Sequence, residues 1–182
     1  MRSIQDVINE IIDVREKGFS NHAADTGGKT KYGVTEGVAR RAGYRGKMED
    51  LPRYFAEDVY RNEYIDMPRF NQVYAVAPTI GMELIDTGIN MGTNTSVRFF
   101  QRTLNALNHK GDFYPEVTVD GNIGPATMSA FNMFINRRGQ EGLTVFLRAL
   151  NCLQGARYID IAEKDPSQEV FVYGWLLQRV GV

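Results

Sequence analysis

Apolar residues return at helical intervals along this chain and nowhere settle into sustained strand alternation, which restricts it to a mainly α fold. Ile4, Val7, Ile8, Ile11 and Ile12 share one face, with Val14 extending it. Ser3 before them and Asp6 three residues on form a capping-box pattern with Asp in the usual Glu place, and Gly18 is a natural stop. The spacing predicts a helix over 4–17. A loop or short hairpin comes next, then helices over 36–42 behind Thr35, and from Asp50-Pro52 to about 65. Met67-Pro68 breaks that pattern. Further helices are expected over 78–90 from Pro78, from the Thr93–Thr95 region to about 108, from Pro125 to Asn136, over 141–163 and over 168–179. Residues 108–124 are turn-rich and non-periodic.

With 182 residues, 43 % of them hydrophobic, the chain has material for one core or for one core with an appended lobe. Its net charge of −1 argues against nucleic acid as a partner, since phosphate binding calls for a basic excess. Cys152 is alone, so no intrachain disulfide forms, and on an apolar helix face it reads as a small buried hydrophobe. Charges interrupt every apolar run near the N-terminus, so neither a signal peptide nor a membrane anchor is expected and synthesis in the cytosol is. His22 and His109 are far apart without a Cys or acidic cluster, which predicts no metal site, and nothing calls for a cofactor.

The polar stretch EKGFSNHAADTGGKTKYGVT, residues 16–35, holds little that builds a core and much that does chemistry. Glu16 falls in the last turn of the first helix, where the negative end of the dipole disfavours its ionised form. Phe19 and Tyr32 nearby would desolvate it, and both effects suit a general acid. Asp25 sits among glycines and backbone donors and stays ionised more easily. Two carboxyls held in different protonation states are what glycosidic cleavage needs, and the Thr30 hydroxyl can hold a water or a sugar oxygen. The plainer alternative is a solvated helix-end Glu and a turn Asp.

Glu, eight residues, Asp, four residues, Thr resembles the Glu–Asp–Thr constellation of phage lysozymes. The stretch as a whole, with Gly18, Asn21, Gly27, Gly28, Tyr32, Gly33 and Thr35 in place, resembles the signature of glycoside hydrolase family 108, the phage and prophage N-acetylmuramidases. Lys17 departs from the family's second glycine and Ala23 from a common proline. EDVYRNEYI (57–65), LIDTGINMGTNTSVRFFQRTLN (84–105), VDGNIGPATMSAF (119–131) and FVYGWLLQRV (171–180) resemble later family segments in order. The resemblance implies a lysozyme-like catalytic region over 1–92 and a helical peptidoglycan-binding region over 93–182, packed as one compact unit. It implies Glu16 as general acid, Asp25 and Thr30 guiding water or balancing charge, and Tyr32 and Gly33 shaping the sugar cleft. Asp86 and Asn90, four apart on one helix, are either substrate contacts on the cleft floor or a hydrogen-bonded pair fixing two helices.

The implied protein is a monomeric endolysin acting on peptidoglycan glycan strands. It would be made in the host cytoplasm and would reach the periplasmic wall through a holin-like pore without inserting in a membrane. A lytic transglycosylase and a non-catalytic wall-binding or secretion-accessory protein are the alternatives. DGNIGPAT (120–127), a peptidoglycan contact in one reading, reads first as a turn followed by a helix start, and Tyr173 and Trp175 as core residues rather than sugar-stacking ones.

Overall fold

The computed structural model describes residues 3–15 and 29–181, with the side chains of Val14 and Arg15 left aside. Their contacts gather into two compact units, Met1–Met67 and Pro68–Val182.

In the first unit, α1 (Ile4–Arg15) starts as the sequence anticipates: Asp6 N–H donates to Ser3 Oγ at 3.1 Å and Ser3 N–H to Asp6 Oδ2 at 2.8 Å. Val7, Ile8 and Ile12 are buried on the side that meets α3 (Arg53–Arg61). α3 adds Ala56, Val59 and Tyr60 to that core, and Arg61 Nη2 reaches back to Gln5 Oε1 at 2.7 Å. Beyond Arg61 the helix widens into a π-turn over Asn62–Asp66, closed by Met67 N–H donating to the Asn62 carbonyl at 2.9 Å and anchored by buried Ile65. Between α1 and α3 lie a hairpin of β1 (Thr30–Lys31) and β2 (Val34–Thr35), then α2 (Glu36–Arg41). Thr35 caps α2 by accepting from Val38 N–H, as its place in the sequence implies.

The second unit is built from α4 (Phe70–Val76), α5 (Pro78–Met91), α6 (Thr93–Ala106), α7 (Pro125–Lys164) and α8 (Glu169–Arg179). α4 is absent from the sequence-based expectation. It is short, it comes after Arg69 at φ +63°, and only Phe70 and Val73 within it are buried, too few to show a period. α5 packs on both α6 and α7, so residues 68–92 group in space with the C-terminal helices, whereas the sequence places its boundary at 92/93. Phe100, Phe131, Phe134 and Phe146 meet in the core, with ring centroids 4.9–5.4 Å apart in tilted and edge-on pairs.

Residues 107–124 take many of their hydrogen bonds from amide side chains on and just beyond α6, alongside bonds from Arg98 and Arg69. Asn108 exchanges two bonds with the Tyr114 backbone, at 2.8 and 3.1 Å, and Asn105 two with that of Val117, at 2.8 and 2.9 Å. Gln101 Oε1 accepts from Gly121 N–H at 2.9 Å, while its Nε2 donates to the Asn122 carbonyl at 2.9 Å and to Asp120 Oδ1 at 2.8 Å. Three side chains at helical intervals thus do what a neighbouring strand would do. The Gln101 bonds bear out the structural role of 120–127: its Asp-Gly turn is clamped to Gln101, and Pro125 opens α7.

α7 runs on through the position where two helices were expected, but Gly139, at φ +57° and ψ −148°, interrupts it. Its second half turns Asn151, Gln154, Gly155 and Tyr158 inward. Cys152 falls outside that face and is exposed, which corrects the expectation of burial. Trp175 stacks on Tyr158 at 5.0 Å and on Phe171 at 5.8 Å and is half-buried, but Tyr173 is 78 % exposed and belongs to no core.

Candidate active site

The hairpin carries three of the singled-out residues. Thr30 pairs with Thr35 and Lys31 with Val34, leaving Tyr32 and Gly33 as a two-residue turn. Both have positive φ, +55° and +73°, which is the requirement of a type I′ turn. Glycine meets that freely, whereas for Tyr32 it costs on the order of 1 kcal/mol. Tyr60 Oη donates to its carbonyl at 3.3 Å and Lys31 Nζ lies 5.2 Å from its ring centre, and both help to hold the tyrosine there.

Lys29 and Lys31 both turn toward Glu49. Lys29 Nζ pairs with Glu49 Oε1 at 3.0 Å, and Lys31 Nζ donates to the Glu49 carbonyl at 2.6 Å. A hydrogen bond from its own backbone, then Lys29, hold the Glu49 carboxyl below its usual range. Because side chains alternate along a strand, Thr30 projects from the opposite face. Behind the hairpin, an open groove of about 710 Å³ runs along Lys29, Glu36, Arg40 and the 45–50 segment. Within it the Arg40 guanidinium is spent on structure, donating to Glu36 and to the Tyr44 and Gly46 carbonyls. Glu16 and Asp25 lie outside the described residues; Glu16 directly follows the last described residue of α1.

Asp86 and Asn90 lie on α5 in the second unit. Asn90 Nδ2 donates to the Asp86 main-chain carbonyl at 2.7 Å, so the two side chains do not pair. The Asp86 carboxylate faces α8 instead, with Oδ1 2.8 Å from Arg179 Nη1, and its Oδ2 lies 3.5 Å from Gln154 Nε2 of α7. It therefore joins three helices.

One residue beside it was not singled out from the sequence. Glu83, one turn earlier, accepts from Thr87 Oγ1 at 3.2 Å, and Gln154 Nε2 donates to that same hydroxyl at 3.0 Å. Burial, then the Asp86 charge, push the Glu83 carboxyl up to about 7. Burial also pushes the Tyr158 hydroxyl up to about 12. The available signal was an i, i+3, i+4 run of Glu83, Asp86 and Thr87 on an otherwise apolar helix, which suggests a shared face but not its burial. Among the described residues, no group of three or more His, Cys, Asp or Glu is arranged to hold a metal ion, and no helix is long and apolar enough to cross a membrane.

Residues 9–92 match the family model described as Glycosyl hydrolase 108, and they include Glu16, Asp25, Thr30 and the whole hairpin. The N-terminal part is a glycosyl hydrolase 108 domain. Residues 95–180 match the model described as Predicted Peptidoglycan domain, so the two models together account for nearly all of the chain. The chain is a glycoside hydrolase acting on peptidoglycan. The two matches meet at 92–95, whereas the contacts divide at 67/68, so the hydrolase domain as a sequence unit extends through α4 and α5. A solved structure, that of Brucella abortus SagA, superposes with a TM-score of 0.58 at 18 % identity. The match covers 98 % of this chain and 95 % of that one, and it shows a shared fold. No curated protein matches the chain.

Proposed function

We propose that this hydrolase is an N-acetylmuramidase that cuts the β-1,4 bond between N-acetylmuramic acid and N-acetylglucosamine, with Glu16 as general acid. The observation that carries the proposal is the glycosyl hydrolase 108 match across 9–92, which contains Glu16, Asp25 and Thr30 at a spacing like that of phage lysozymes. Glu16 gives its proton to the glycosidic oxygen as the bond from the anomeric carbon breaks. The Asp25 carboxylate, assisted by the Thr30 hydroxyl, orients the incoming water or balances the oxocarbenium-like charge. Tyr32 and Gly33 shape the sugar-facing turn.

In this reading the protein is a phage endolysin that acts as a monomer. It is made in the host cytoplasm and reaches the wall through a holin-like pore. Expression alone should leave cells intact, and co-expression with a pore-forming protein should lyse them.

The mechanistic test is Glu16→Gln beside wild type on purified peptidoglycan, with folding checked by circular dichroism. Activity should fall by roughly a hundredfold or more, and wild type should release new reducing ends. Retained lysis by the folded variant refutes the role of Glu16, and anhydro-muramyl products instead of reducing ends refute hydrolysis in favour of transglycosylation.

A further inference from the structure

The break in α7 builds a small pocket whose charges the proposed glycan chemistry does not use. At Gly139 the backbone takes a conformation open to glycine, and the axis is redirected before Gln140. As a result the Arg138 side chain lies against the next turn, so closely that a Cβ at Gly142 would collide with the Arg138 Cβ. The two glycines thus fix where Arg138 sits. Its guanidinium is held over the Phe113 ring, 4.8 Å from the ring centre, and Arg137 takes the same ring at 4.8 Å. Among the described residues no carboxylate lies within ion-pairing distance of either arginine.

Beside them opens a pocket of about 250 Å³, lined by Leu107, Phe134, Arg138, Glu141, Gly142 and Val145. Leu107, Phe134 and Val145 make an apolar wall; Arg138 supplies a planar donor fork and Glu141 an acceptor. Both charged residues are exposed, and they are not paired with each other. The volume is below that of a drug-sized site and suits the end of one amino-acid side chain.

We propose that this pocket binds an α-amino carboxylate zwitterion carried on a short aliphatic stem: the free end of a diaminopimelyl residue in a peptidoglycan stem peptide. The carboxylate meets the Arg138 fork, the ammonium meets Glu141, and the methylenes lie on Leu107 and Val145. Each charged group in the lining then has a partner. The inference rests on peptidoglycan being the substrate and names the part of it, other than the glycan, that this domain reads.

The test titrates the full chain with two muramyl tripeptides, identical except for meso-diaminopimelate or L-lysine at the third position, followed by calorimetry or amide chemical shifts. Lysine keeps the ammonium and lacks the distal carboxylate. The diaminopimelate peptide should bind roughly tenfold more tightly. Arg138→Gln should erase that preference, Arg138→Lys should restore part of it, and Glu141→Gln should weaken both peptides. Equal binding of the two peptides by wild type, or a preference that survives Arg138→Gln, overturns the assignment. A wild-type chain that keeps the preference but leaves peptidoglycan uncut refutes the muramidase proposal and supports the pocket. One that cuts the wall without the preference does the reverse.

Discussion

Glu83 makes the chain's stability depend on pH in a direction opposite to that of a salt-bridged carboxylate. Its carboxyl is raised from 4.5 to about 7, chiefly by burial and secondarily by Asp86. Between those values the folded chain keeps the proton and the unfolded chain has released it, so the native state binds more protons and stability falls as pH rises. Below about 4.5 both states are protonated and the group contributes nothing; above about 7 the loss is complete. A rise from 4.5 to about 7, at about 1.4 kcal/mol per tenfold change in proton affinity, corresponds to about 3 kcal/mol, reduced to roughly 2 kcal/mol by solvent at the partly exposed side chain. Glu83→Gln keeps the size and can still accept from Thr87 Oγ1, but it cannot ionise. At pH 8.5 the variant should melt higher than wild type by roughly 4–8 °C, and at pH 4 the two should coincide. Asp86→Asn should lower the midpoint of the pH dependence only in part, because burial is the larger cause. Thermal unfolding followed by circular dichroism from pH 4 to 8.5 gives the comparison. A constant offset between Glu83→Gln and wild type at every pH, or a variant less stable at pH 8.5, would refute the reasoning.

Phe146, fully buried against Phe100, Phe131 and Phe134, should cost about 3–5 kcal/mol when replaced by Ala, read as a lower urea midpoint with little change in slope. At Gly33, whose φ of +73° a β-branched residue resists, Gly33→Val should destabilise the first unit by about 1–2 kcal/mol. It should also lower activity on peptidoglycan more than Gly33→Asn, since Asn tolerates that conformation; equal effects would mean that the turn geometry is not what matters.

The helices were legible wherever a local signal started them. The Ser3–Asp6 box, the Thr35 cap and the prolines at 78 and 125 each act within one turn, and each works as the sequence suggests. A loop or short hairpin was legible in the polar segment, but not the two-residue turn at Tyr32-Gly33, because a tyrosine at positive φ carries no local turn signal. What escaped depends on partners distant in sequence. α4 is a helix because α5 covers Phe70 and Val73, not because seven residues announce one. Asp86 finds Arg179 across 93 positions, and Glu83 owes its raised pKa to burial that no local pattern encodes. Cys152 was expected inside because it lies among apolar residues on a helix; the buried face runs through Asn151, Gln154, Gly155 and Tyr158 instead.

The amides of Gln101, Asn105 and Asn108 line up only once α6 is wound. In the coil they point in unrelated directions, and residues 114–122 then have no template to lie on. Unwinding α6 therefore releases the irregular segment in the same event. Amide protons at Tyr114, Val117 and Gly121 should exchange with solvent on the slow timescale of the helix rather than at the rate of a surface loop. A stretch without repeating structure borrows the cooperativity of its neighbour, so insertions there should be tolerated far less well than its turn-rich composition suggests.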